Sequence, residues 1–265
     1  MKINLIILTI LLTVFTYSCE EAFNDQINSV DEAFLVVDAQ LTNERTRHEV
    51  RLSLTFNNIN EEPPPVTNAV VLINDGTNNF FLVHDNTSPG VYRTDTLQAL
   101  FGKFYTLYII HEEKEYFAFA TSAIGTPLAP LTIEEIEPGI FEFINSEGIP
   151  SITEVRAVWE EENSQGQMVE QSKEGFFYTL DVIDINKTFA PEKEPFTFPR
   201  GAVLHRKKYS LTEDHQNFLR SFLAEVDWRG GGFDAAAGNV LTNLSEGAVG
   251  FFSVSMVAFD STTVE

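Results

Sequence analysis

Residues 103–122 read KFYTLYIIHEEKEYFAFATS. Two apolar runs, KFYTLYII from Lys103 and EYFAFATS from Glu115, flank a short charged HEEK step. In the first run Phe104, Thr106, Tyr108 and Ile110 alternate against Tyr105, Leu107 and Ile109. A period of two is the side-chain period of a β-strand, and apolar character on both faces predicts a central strand. HEEKE at His111 has the opening of a zinc-protease helix motif but lacks the second histidine, so it reads as a solvated turn between strands.

Working outward, similar runs recur at close intervals: FLVVDAQL from Phe34, EVRLSLTF from Glu49, AVVLIND from Ala69 and FFLVHD from Phe80. Asn57 to Pro65, Asp75-Gly76 and Pro89-Gly90 supply turn signals between them. Strands of this length and spacing predict an antiparallel sandwich over residues 33–125. Pro127 and Pro130 open a second β-rich domain over residues 126–265. Its strands are expected in LTIEEIE from Leu131, TEVRAVWEEE from Thr153 and GFFYTLDVID from Gly175, with Phe251, Val254 and Met256 in a final strand. A helix is expected at about 211–226. Ser210 and Glu213 have capping-box spacing, and Phe218, Leu219, Phe222, Leu223 and Val226 form an apolar stripe that should pack across the second sheet. The fold class is thus mainly β, with two consecutive antiparallel sandwich domains and one packed helix.

The 265 residues carry a net charge of −22 and include 23 phenylalanines. Such a chain is a poor partner for nucleic acid or anionic lipid, which call for dense positive charge. The RKK run at Arg206 to Lys208 is too short to change this and is expected in an exposed strand end or loop. His48, His84, His111, His205 and His215 are scattered, and neither a nucleophile elbow nor a phosphate loop occurs; Gly230 to Gly232 reads as a turn. No catalytic residue, cofactor or metal site is assigned. Glu160 to Glu162 and the pair Glu134 and Glu135 read as solvated acidic faces, since calcium needs six to eight converging oxygens.

The first eighteen residues, MKINLIILTILLTVFTYS, place Lys2 before an apolar stretch and Ser18 before Cys19, which is the layout of a signal peptide. Cys19 is the only cysteine, so no intramolecular disulfide is possible. The segment resembles a bacterial lipoprotein leader, with Thr16 and Tyr17 where leucine and a small residue are typical. That resemblance implies cleavage before Cys19 and lipidation of its sulfur; the alternative is a plain secretory leader. Residues 19–32 read as an acidic tether. Glu20, Glu21 and Asp25 resemble the signal that exports Bacteroidota lipoproteins to the extracellular face of the outer membrane, with a periplasm-facing anchor as the alternative.

The order PVTNAVVLIND, GVYRTDT, GKFYTLYII and KEYFAFA resembles transthyretin/Ig-like modules. Trp159 with Phe177 and Tyr178 resembles the aromatic pair of a fibronectin-like sandwich, read here as core. GNVLTNLSEGAVGFFSVS, together with LVVDAQLTNE, PVTNAVVLIND and the VWEEE to FFYTLDV pairing, resembles the Bacteroidota lipoprotein family called domain of unknown function 4249. Members look like outer-membrane lipoproteins that accompany TonB-dependent β-barrel receptors in nutrient uptake. The resemblance implies a non-catalytic accessory subunit docking through sheet edges or aromatic loops. The alternatives are a surface capture protein for a glycan, peptide or metal complex, and an adhesin or envelope-structural module. Thr96 and Ser261, in DTL and DST contexts, resemble Bacteroidota O-glycosylation acceptors.

Overall fold

The computed structural model describes residues 33–56, 61–181, 184–230 and 238–265. The leader, Cys19, the tether of residues 19–32, Gly231 and Gly232 lie outside the described residues.

Seven strands form the first half: β1 (Leu35–Thr42), β2 (Thr46–Leu54), β3 (Val70–Asn74), β4 (Asn79–His84), β5 (Val91–Leu97), β6 (Tyr105–His111) and β7 (Lys114–Ala120). Their inward residues, among them Val37, Ile73, Leu107, Ile109 and Tyr105, make one core. Turn chemistry sets the register. Asp75 Oδ1 accepts from the backbone N–H groups of Thr77 and Asn78 at 2.9 and 2.7 Å, and Lys103 Nζ donates to Oδ2 at 2.7 Å. The β6–β7 turn places Glu112 at φ 50° and Glu113 at φ 64°, the left-handed pair that a two-residue hairpin requires. His111 is buried at the end of β6. The proline-rich loop is tied down by Tyr92, whose hydroxyl donates to the Val66 carbonyl at 3.1 Å and accepts from Ala69 N–H at 2.9 Å.

The second half begins with β8 (Thr132–Glu137), β9 (Ile140–Ile144), β10 (Ser151–Glu162) and β11 (Met168–Thr179). A single-turn helix α1 (Ile185–Thr188), β12 (Thr197–Pro199), β13 (Val203–Ser210) and helix α2 (Glu213–Val226) follow, then β14 (Ala248–Ser255) and β15 (Val257–Thr263). The sheet β11-β10-β13-β15 faces the small sheet β12-β9-β8 across Phe141, Phe143, Val155, Ala157, Phe198 and Leu204. Trp159 and Phe177 pack onto this core, with the Phe177 ring 4.8 Å from that of Phe143. The chain is mainly β, built of antiparallel-sheet sandwiches with one packed helix of more than one turn among the described residues.

The C-terminal segment departs from the expected domain order. Phe251, Val254 and Met256 do not share one strand, because the chain changes sheet at Met256. β14 pairs with β1, in parallel, from Leu35 opposite Ala248 to Thr42 opposite Ser255, and so completes the first sandwich. β15 then joins β13 of the second. Met256 N–H donates to Ser210 Oγ at 2.9 Å, and Val257 N–H donates to Asn43 Oδ1 at 2.7 Å, so each half holds one side of the step. Residues 34–265 accordingly form one compact unit without a division at residue 126. A parallel pairing between strands some two hundred residues apart leaves no local spacing signal.

Two local expectations are also corrected. The helix cap is Thr212, whose Oγ1 accepts from His215 N–H at 3.3 Å; Ser210 is committed to the Met256 contact as the last residue of β13. The RKK run is internal to β13, where Leu204, Arg206 and Lys208 point inward. Lys208 and Glu147 are 2 % and 4 % exposed and meet at 2.6 Å, with the Pro127 carbonyl as a second acceptor at 3.1 Å. Arg206 is likewise buried and forks onto Asp260, with Nε to Oδ1 at 2.9 Å. Lys207, on the other face, reaches Glu44 at 2.8 Å and ties the second half to the first. Buried pairing supplies what a charge count cannot reveal.

Removing one member of the buried pair, as in Glu147→Gln, should lower unfolding free energy by about 3–5 kcal/mol in urea titrations. A neutral result would contradict the pairing. Gly250 sits in β14 at φ 105°, and a Cβ there would lie 2.0 Å from the Val37 carbonyl oxygen. Gly250→Ala should therefore destabilise by at least about 1–3 kcal/mol and disturb the β1–β14 pairing, read by hydrogen exchange of residues 35–42.

Candidate functional site

A cleft of about 790 Å³ opens where α2 meets the outer faces of both large sheets. Strand alternation supplies its walls. Val36, Asp38 and Gln40 point outward from β1 because Leu35, Val37, Ala39 and Leu41 point inward. On the facing sheet Ile152 and Glu154 alternate with inward Thr153 and Val155, and Tyr178 and Tyr209 flank Ile152 in register. Adjacent Phe251 and Phe252 point to opposite faces of β14 and are both buried, Phe252 in the first core and Phe251 against α2. The Phe251 ring lies 4.7 Å from Phe218 and 4.9 Å from His215, both near parallel. Leu219 and Leu223 anchor the helix on Ile152 and Tyr178. The helix thus packs on the second sheet, as its stripe suggests, and on Phe251 of the first as well.

The cleft is apolar, with one carboxylate on each facing sheet, Asp38 and Glu154. Tyr209 donates its hydroxyl to Glu154 Oε2 at 2.7 Å; burial and the Glu154 carboxylate push its pKa upward. Desolvation raises Asp38, with Arg51 opposing and Glu49 reinforcing. His215 is 7 % exposed, and burial lowers its pKa to about 4, so the ring is neutral at physiological pH. A second hollow of about 550 Å³ beside β11 carries Lys173, Lys187 and Lys193 against Glu174, Glu194 and Asp227. Its charges balance, and Lys193 pairs directly with Asp227.

A second feature is the outer face of β4-β3-β6-β7. Register places Phe81, Leu72, Tyr108 and Phe117 in one row across four strands. Val83, Val70 and Ile110 form the row beside it, and Phe119 lies next to Phe117 with ring centroids 5.7 Å apart. Phe81, Val83 and Phe119 are 63 %, 73 % and 58 % exposed. The two-faced apolarity of β6 therefore marks a central strand with only one face buried. The β7 edge itself is covered: Ser245 N–H donates to the Phe117 carbonyl at 2.9 Å, and Asn243 Nδ2 donates to that of Phe119 at 3.0 Å.

The residues singled out in the sequence do not converge. Cys19 lies outside the described residues. Thr96 is exposed on β5 and Ser261 on β15, at separate places in the fold, and the Ser261 hydroxyl is 3.1 Å from His205 Nδ1. Glu160 to Glu162 end β10, and Glu134 and Glu135 sit on β8. Among the described residues no group of three or more His, Cys, Asp or Glu side chains is arranged to hold a metal ion, and no helix is long and apolar enough to cross a membrane. The five histidines occupy five different elements or strand ends. Sequence reasoning missed the cleft because its lining comes from β1, β10, β11, β13, α2 and β14, each unremarkable alone. The one usable signal is the bulk of the aromatics Phe218 and Phe222 within the helix stripe together with Phe251 of the final strand.

The chain belongs to the family described as Domain of unknown function (DUF4249), whose model matches residues 20–259. No curated protein matches it. Among solved structures it is similar to the FN1–FN3 domains of chicken CNTN1, at 7 % identity and a TM-score of 0.25, over 68 % of this chain and 63 % of that one. The chain thus spans less than two thirds of that structure's length.

His215 gives the cleft a pH dependence. Its pKa falls from 6.5 in the unfolded chain to about 4 in the fold, so the unfolded chain binds the extra proton between those values. Stability should be complete above about pH 6.5 and decline by about 3 kcal/mol as pH falls toward 4. In His215→Phe this decline should shrink by that amount, measured by urea unfolding at stepped pH. An unchanged slope would contradict the burial of a neutral imidazole.

Proposed function

We propose that this DUF4249 family member is a non-catalytic accessory lipoprotein, anchored through Cys19 to the outer membrane, and a docking partner of a TonB-dependent β-barrel receptor. The observation that carries the reading is the aromatic row Phe81, Leu72, Tyr108 and Phe117 on the outer face of the first sandwich. Contiguous apolar area of this kind marks an interaction surface, and each large side chain removed from water contributes about 1.5–3 kcal/mol. Because Asn243 and Ser245 cover the β7 edge, docking of this half uses the sheet face rather than strand addition at β7. The net charge of −22 opposes adsorption on anionic lipid and leaves a protein surface as the better counterpart. The lipoprotein-like leader supports the tether, and the tether confines the sheet face near membrane proteins. The acidic residues after Cys19 favour display on the extracellular face over a periplasm-facing anchor.

The capture reading is favoured by a separate observation, the concave aromatic cleft at α2.

Gentle extraction of native membranes, followed by affinity purification, should recover a β-barrel receptor with the wild-type chain. Tyr108→Asp with Phe117→Asp places two charges in the row at positions already 45 % and 42 % exposed, so folding should persist. Receptor recovery should fall about thirtyfold or more, the scale of an interface hot spot. Recovery of the wild-type protein alone would contradict the reading.

A further inference from the structure

The cleft at α2 has three properties that together specify a ligand class. Its body is apolar, and Phe176 on β11 and Phe222 on α2 line it while 54 % and 40 % exposed. Its formally charged lining groups, among the described residues, are Asp38 and Glu154. Each has a basic cross-strand neighbour, Arg51 and Lys207 respectively. Both neighbours are committed elsewhere: Arg51 pairs with Glu49 at 2.8 Å and Lys207 with Glu44 at 2.8 Å. The two carboxylates therefore present negative charge to the cleft. Third, His215 lines the cleft with its ring stacked 4.9 Å from that of Phe251.

We infer that this cleft binds a small amphipathic cation, an ammonium or related group carried on an aromatic or alkyl body. The body packs between Phe176, Phe222 and Phe251, and the cationic head lies toward Asp38 and Glu154. An aromatic wall adds attraction for the cation through its ring faces. Anionic ligands meet two carboxylates and no cationic lining group, and are rejected. The volume of about 790 Å³ lies within the range of small-molecule sites. This site is on the α2 side of the molecule and involves none of the residues of the docking row, so it stands or falls independently of receptor docking.

The test is calorimetric titration of the purified full chain, in uncharged detergent, with three probes that share two aromatic rings. These are diphenylalanine amide (cationic), its N-acetyl derivative (uncharged) and N-acetyl-diphenylalanine (anionic). The cation should bind at least about tenfold tighter than the uncharged probe, and the anion weakest of all. Asp38→Asn with Glu154→Gln should erase the cation's advantage while leaving the uncharged probe unaffected. Phe222→Ala, at a half-exposed position, should weaken the cationic and uncharged probes alike. Equal or tighter binding of the uncharged or anionic probe, survival of the cation's advantage in the double amide variant, or absence of saturable binding would each overturn the inference.

Discussion

The parallel pairing of β1 with β14 is the constraint on which the rest of this structure depends. It brings the end of the chain back to the first strand and makes the first sandwich incomplete until nearly all of the sequence is present. Non-local pairing of this kind incurs loop-closure entropy before it gains contacts, which places it among slow-forming features. Gly250 makes it possible, because the Val37 carbonyl occupies the space where a side chain would stand. The change of sheet at Met256 then carries the chain into the second sandwich, with Ser210 and Asn43 holding either side. The cleft is a direct product of this arrangement, since β1 and β14 form one wall and the second sheet another.

Most of the first half was legible because alternation and turn chemistry are local. Asp75-Gly76 and the HEEK step became hairpins, and KFYTLYII became a central strand. What alternation could not tell was whether the second apolar face of that strand is covered, and Tyr108 and Ile110 turn out to be half exposed. In the second half the signal failed where long-range partners decide. Arg206 and Lys208 look like surface residues until Asp260 and Glu147 are placed beside them. Ser210 looks like a cap until Met256 claims its hydroxyl. β9 and β12 are short strands whose apolar residues carry no alternation long enough to stand out. The cleft could not be read at all, since six separate elements contribute to it.

The functional account rests on two surfaces of different chemistry. One is an open, largely apolar sheet face, suited to a large partner. The other is concave, with one carboxylate on each of two facing walls, suited to a small one. In the proposed reading Cys19 is the anchor that would hold both surfaces at a membrane. A tether and a docking face reinforce one another, because confinement raises the effective concentration of a partner in the same membrane.

Photo-crosslinking in native membranes tests the docking face most directly. A photoreactive phenylalanine analogue at position 117 should give an adduct with an outer-membrane β-barrel protein, whereas the same analogue at position 170, exposed on β11, should not. Adducts of equal yield at both positions, or none at position 117, would contradict the account.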